Sequence, residues 1–243
     1  MPGVSSQIGA SIDSLTREFE LITNNMANIN STGYKRNCNY FSKVLQSQIS
    51  GADEDVSFDI GLSSAIDFSQ AGLSHTERML DVALSGKGFF VIETPDGPLY
   101  TRNGVFETNQ NGQIVNLSGN IVAGQSGAIN IPREVAISDV HISSDGSISA
   151  AGAQIGKFKL VDFGDNEDKL VPQGAGCFTL SEDIRADDAE NVVVKQGYQE
   201  SSNVQMVEEL ADMIMVTRLY EANIKSITAT TKASDSLISL AMG

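Results

Sequence analysis

A heptad seam runs through each end of this chain. From residue 8 the apolar positions are Ile8, Ile12, Leu15, Phe19, Ile22, Met26 and Ile29, alternating steps of four and three. That repeat keeps one stripe of a helix apolar along its length. The other end repeats the device at Met206, Leu210, Met213, Thr217, Tyr220, Ile224, Ile227, Thr231, Ser234, Ile238 and Ala241, with no Gly or Pro between Val204 and Met242. A helix of that span would be about 55–60 Å long. Ser201, Ser202 or Asn203 is expected to cap it, and Glu208 and Glu209 sit early in it, where the helix dipole favours acids.

The first seam runs into ITNNMANINSTGYKR (22–36). Asparagine competes locally for backbone hydrogen bonds and Gly33 can take a positive φ, so this segment reads as a helix stop. Between the two helices the pattern changes to short β-rich runs separated by turn dipeptides. GFFVIE (88–93), LYTR, VFET, QIVN and SISA are punctuated by Asp96-Gly97, Asn103-Gly104, Asn111-Gly112 and Asp145-Gly146. Such dipeptides favour tight hairpins. The expected fold class is therefore α+β, with long N- and C-terminal helices pairing as a coiled-coil-like stem and a mostly antiparallel β central domain. Its expected divisions are an N-terminal helix over 1–33, an extended connection over 34–79, a β-rich domain over 80–200 and a C-terminal helix over 201–243.

The seams need partners. Burying the seven residues of the first would contribute roughly 10–20 kcal/mol as an upper bound. Ordering about 25 residues of backbone costs as much or more, at roughly 1–2 kcal/mol each. An unpartnered seam therefore leaves a frayed helix. Its partner is the other terminal helix, helices of other chains, or both.

Composition narrows the function classes. The formal charge is −15, and nearly all of it falls in residues 51–203, because the two ends are close to balanced. Nucleic-acid binding rests on Lys and Arg displacing counterions, so no nucleic-acid partner is expected. Met1-Pro2-Gly3 opens no basic stretch followed by an apolar run, so neither a signal peptide nor membrane insertion is expected. Cys38 and Cys177 lack metal-ligand or disulfide spacing and read as buried thiols.

No catalytic, cofactor or metal site is expected. His75 and His141 are the two histidines, and neither has ligand-spaced neighbours. Gly86-Lys87-Gly88 is too short for a phosphate loop. The stretch from Glu107 resembles the opening of a calcium loop, but Ser118 stands where a bidentate Glu belongs, and a hairpin is the better reading. The clusters Asp53-Glu54-Asp55 and Asp187-Asp188 read as solvated surface.

The segment 22–36 is also specific in another way. It resembles the NNxANxxTxGxKR signature of bacterial flagellar axial proteins, the family that builds the rod and hook. Asn24, Asn25, Ala27, Asn28, Thr32, Gly33 and Lys35 fall on it, with Tyr34 where Phe or Tyr is expected. Two further blocks are similar to that family, LDVALSGKGFFVIETPDGPLYTRNGVFETNQNGQIV (80–115) and QGYQESSNVQMVEELADMIMVTRLYEANIK (196–225).

The resemblance implies a structural, non-enzymatic subunit of the basal-body rod, assembling helically through its terminal helices and carrying motor torque to the hook. Its partners would be copies of itself, other rod subunits and the flagellar type III export apparatus, and its place the periplasmic rod after export. Interface residues would be the seam positions Ile8, Ile12, Leu15, Phe19, Ile22, Met26, Ile29, Met206, Leu210, Met213, Tyr220, Ile224 and Ile227. Asn24, Asn25 and Asn28 would add hydrogen bonds within or between subunits. Phe41 and Leu45 look like the family's export-gate element, against the plain alternative of an amphipathic turn.

Length leaves a proximal-rod and a distal-rod member. SGAINIP (126–132) and IGKFKLVDF (155–163) look closer to the proximal one, which is favoured; QGYQESSNVQMVEEL and YEAN look closer to the distal one. Competing readings are a self-contained soluble binding module whose helices pair internally, and a cell-wall hydrolase, for which no Glu-centred cleft is legible.

Overall fold

A computed structural model of the chain describes residues 2–41, 62–180 and 185–242. The chain divides into two compact units, one of residues 1–27, 37–66 and 205–243, the other of 28–36 and 67–204.

The first unit is built on two helices, α1 (Pro2–Ala27) and α2 (Met206–Met242). At 1.5 Å per residue α2 is about 55 Å long. The helices contact one another. Asn223 Nδ2 donates to Ser11 Oγ at 3.0 Å, and Asn25 Nδ2 to Glu209 Oε2 at 3.3 Å. The two pairs progress in opposite senses along the helices, so α1 and α2 run antiparallel. The strands Arg36–Phe41 and Leu62–Asp67 form a two-stranded ladder, placed within the segment expected to be an extended connection.

Helix boundaries differ in detail from the sequence reading. α1 stops at Ala27, so Asn28 and Ile29 follow it in turns. Gly33 does take a positive φ of 69°, but as part of a separate loop. α2 begins at Met206, three to five residues after the expected caps Ser201, Ser202 and Asn203. Ser202 Oγ accepts from the Val204 amide, and the Asn203 side chain is used elsewhere.

The second unit is a β body. Among the described residues its largest sheet runs in the order Leu170–Gly174, Cys177–Leu180, Gly97–Thr101, Phe89–Thr94, Ile121–Gly124, Ile114–Asn116, Phe106–Thr108, and every one of these pairings is antiparallel. A second sheet holds Val140–Ile142, Ser147–Ala150 and Ala153–Lys157. Their alternation puts Val140, Ile142, Ile148 and Ala150 inside with Phe90, Ile92, Phe106, Val122 and Phe158. Phe90 meets Phe106 and Phe158 edge-on, with ring centres 5.0 and 5.5 Å apart.

The strand Phe89–Thr94 is buried at four consecutive positions rather than alternate ones. Its opposite face is covered too, by Phe68, Phe163 and Phe178 around Phe89. Burial on both faces is what its unbroken apolar run encodes.

The turn dipeptides do different work from one another. Gly112 and Gly146 have φ of 81° and 85°, as tight hairpins require. In the calcium-like stretch, Asn109 Oδ1 accepts from the Asn111 and Gln113 amides, which closes a hairpin turn. Gly104 is needed for closeness, because a Cβ there would collide with the Val82 carbonyl.

Candidate functional site

Two clusters of buried polar groups stand out, one in each unit. In the body, Lys35 and Glu200 are fully shielded, with Lys35 Nζ 2.7 Å from Glu200 Oε1. Lys35 also donates to the Ser69 carbonyl at 2.8 Å, and Glu200 Oε1 accepts the Ala71 amide at 3.0 Å. The backbone of Glu200 takes part as well, accepting the Gly33 amide at 2.7 Å. Arg102 approaches from the other side. Its Nη1 lies 3.9 Å from Glu200 Oε2, donates to the Gly86 carbonyl at 2.8 Å, and the guanidinium sits over the Phe89 ring.

Taking charges out of water is costly, and that cost governs both cations. Burial pushes the Lys35 ammonium below its ordinary range, against the opposing pull of Glu200. The Arg102 guanidinium is lowered by burial in the same way, again against Glu200. A carboxylate this enclosed has no route to a substrate; what it can do is hold backbone segments in place.

A second strand of the same cluster runs through hydroxyl and amide side chains to the Asp81 carboxylate. Thr32 Oγ1 donates to Gln199 Oε1, Gln199 Nε2 to Asp81 Oδ2, and Thr76 Oγ1 to the same Asp81 oxygen. Arg78 Nη1 stands 3.5 Å from Asp81 Oδ1. The cluster thus joins the TGYK segment (32–35), the Leu80-Asp81 opening of the central block and the GYQE segment (197–200). Each lies in a block quoted from the sequence and Lys35 falls on the signature of 22–36, yet Asp81, Gln199 and Glu200 were not singled out. Their one sequence signal is a polar residue beside a glycine or an apolar run, which does not announce a partner over a hundred residues away.

In the first unit, Asn25 is buried and acts as a peptide mimic. Its Nδ2 donates to the Asn37 carbonyl and its Oδ1 accepts the Asn37 amide, both at 2.9 Å. Glu209, also buried, is the acceptor at 3.3 Å on its other side. Asn28 Oδ1, in the body, accepts from Ser31 Oγ, while Asn24 is exposed.

The seam residues are placed unevenly. Ile22 is buried, and Ile8, Ile12, Leu15, Met26, Ile29, Met213 and Ile227 are half-buried. Phe19, Met206, Leu210, Tyr220 and Ile224 are exposed. Off the seam, Val207 and Ile214 expose 81% and 59% of their surface, joined by Met215 and Leu219. Leu45 and the side chain of Phe41 lie outside the described residues. Among the described residues, no group of three or more His, Cys, Asp and Glu is arranged to hold a metal, and no helix is long and apolar enough to cross a membrane.

Two of the three blocks overlap segments that family models match. The family model described as "Flagellar hook protein FlgE/F/G D1 domain" matches residues 83–150, and "Flagellar basal body rod FlgEFG protein C-terminal" matches 195–240. The chain is 35% identical over 245 residues to flagellar basal-body rod protein FlgG of Agrobacterium fabrum, covering 89% of this chain and 91% of that one. It is 31% identical over 250 residues to FlgG of Buchnera aphidicola from Acyrthosiphon pisum, with the same coverage. To the rod protein FlgF of Caulobacter vibrioides it is 28% identical over 227 residues, covering 92% and 91%. Identity of this order over 89% of the chain makes it a member of the flagellar basal-body rod protein family, the structural subunits of the rod.

Proposed function

We propose that the chain enters the rod through α1 and α2, which pair as a coiled-coil-like stem and take their remaining apolar contacts from neighbouring copies and other rod subunits. Residues 80–200 form the outer domain, and the assembly carries torque toward the hook. The observation that carries this reading is the apolar surface of α2. Val207, Leu210, Ile214, Met215, Leu219 and Ile224 are exposed in the single chain, and a helix wet on that much apolar surface is built to be covered. The seam positions and Asn24, Asn25 and Asn28 remain the proposed contact set. Export through the flagellar type III apparatus, with Phe41 and Leu45 read at its gate, belongs to the same proposal.

The experiment is polymerisation of the purified chain, followed by sedimentation and electron microscopy, with a Val207→Ser/Ile214→Ser variant beside it. Rod-like polymers from the parent and a large loss in the variant support the reading. A monomer whose terminal helices are already protected from hydrogen exchange supports the self-contained binding module instead.

Within the rod, the proximal position rests on segments 126–132 and 155–163. The distal position has an observation of its own, since the FlgG relatives named above share more residues with the chain than the FlgF relative does. Separate complementation of strains lacking FlgF or FlgG decides between them.

A further inference from the structure

The chain passes between its two units four times, after residues 27, 36, 66 and 204. Three of the corresponding ends of the body meet at one side chain. Asn203 Oδ1 accepts the Arg36 amide at 2.7 Å, and its Nδ2 donates to the Asp67 carbonyl at 2.8 Å. Nδ2 also lies 3.4 Å from the Ser69 carbonyl and 3.2 Å from Ser69 Oγ, and the Asn203 amide donates to the Tyr34 carbonyl at 3.4 Å. Arg36 opens one strand of the two-stranded ladder and Asp67 closes the other. Asn203 therefore presents one acceptor and one donor, as a peptide group would, to the ends of both strands.

Behind it the same three segments are held by charge. Lys35 bonds Glu200 and the Ser69 carbonyl, and Glu200 bonds the Ala71 amide. The body's chain ends are tied sideways to one another before they leave it.

We infer that Asn203 is a positioning residue that makes these three chain ends one mechanical root. A pull on any of them is shared across bonds loaded together, where untied ends would yield singly. This rests on the rod reading, since only a torque-bearing subunit has its chain ends loaded. A capping or merely turn-forming asparagine would bond its own neighbours; this one bonds residues 136 and 167 positions away.

The test uses the whole chain with Asn203→Ala, which removes every one of these side-chain bonds, and Asn203→Asp, which keeps the acceptor for Arg36 and loses the donor to the Asp67 and Ser69 carbonyls. In the purified chain, hydrogen exchange at the Arg36 amide should quicken about tenfold in N203A and stay near the parent in N203D, as expected for loss of one shielded bond. In the native host with its chromosomal copy replaced, N203A should build flagella and swim in thin medium, then lose speed against the parent as viscosity rises. N203D should fall between them. Unchanged Arg36 exchange in N203A overturns the assignment. So does swimming equal to the parent at every viscosity, or a body that no longer folds in both variants. Failure of the parent chain itself to restore swimming to a strain lacking it counts against the rod reading alone, and the exchange result then decides the role of Asn203.

Discussion

Lys35 Nζ stands 2.7 Å from Glu200 Oε1, and neither side chain exposes any surface to solvent. The two residues are 165 positions apart, so the pair forms only once the N-terminal loop and the C-terminal edge of the body have come together. A buried ion pair adds little net stability over an apolar substitute, yet breaking one half of it is severe, because the other charge is left without compensation. Lys35→Met should therefore cost about 3–5 kcal/mol, a fall of about 10 °C in Tm for a protein of this size. Adding Glu200→Gln, which retains an acceptor for the Ala71 amide but leaves the buried Arg102 guanidinium without its nearby carboxylate, should recover little of that loss. Thermal unfolding of the parent, both single variants and the double variant measures the coupling. A loss under about 1 kcal/mol for Lys35→Met would show that the pair does not hold the loop.

Gly33 sits at φ 69°, and a Cβ there would lie 2.6 Å from the backbone nitrogen of Asn103. Both the conformation and the space forbid a side chain. Gly33→Ala should destabilise the body by about 2–4 kcal/mol, combining left-handed strain with forced displacement of backbone. Gly9 is the control, since it lies in α1 with nothing within 4 Å of its virtual Cβ. Gly9→Ala should raise helix content and stabilise α1 by about 0.5–1 kcal/mol. Circular dichroism and chemical denaturation of the two variants should move in opposite directions.

Asn25 bonds the Asn37 backbone as a peptide group would, with both bonds at 2.9 Å, and faces the buried Glu209. Asn25→Ala should cost about 2–3 kcal/mol, as two part-buried bonds to backbone are lost. Asn25→Asp should cost more, since it removes the donor to the Asn37 carbonyl and sets a second carboxylate against Glu209. Denaturant midpoints, with hydrogen exchange at the Asn37 amide, check the order. Equal stability of the Ala and Asp variants would mean that Glu209 does not sense this position.

The helices and the hairpins were legible because their signals are local. A heptad seam needs only neighbouring turns, and Asn111-Gly112 or Asp145-Gly146 fixes its own backbone. The polar clusters were not legible for the opposite reason. Asn24 and Asn25 are adjacent and chemically identical, yet one is exposed and the other buried. Glu209 reads as an acid near a helix start, and in the fold it is fully buried beside Asn25. Phe19 continues the seam but is 42% exposed, between the half-buried Leu15 and the buried Ile22. Pairings such as Lys35 with Glu200 depend on topology, which residue spacing does not encode.

Asp145 offers a test by pH. It stands in the Asp145-Gly146 turn, where Ser147 Oγ donates to it at 2.7 Å, the Ser147 amide at 3.1 Å and Lys157 Nζ at 3.3 Å. These donors, the Ser147 hydroxyl first, hold its carboxyl down at about 2, from an ordinary value of 3.8. A carboxyl depressed in the folded state adds stability that is fully present above the ordinary value and is lost as pH falls from there toward about 2. Carbon-detected NMR titration should therefore find Asp145 still ionised where ordinary aspartates are half protonated. Ser147→Ala should move the midpoint up toward the ordinary value, and Lys157→Met should move it less, because the lysine contributes less than the hydroxyl. A titration in which Lys157→Met has the larger effect would mean that charge, and not the turn's hydrogen bonds, sets this group.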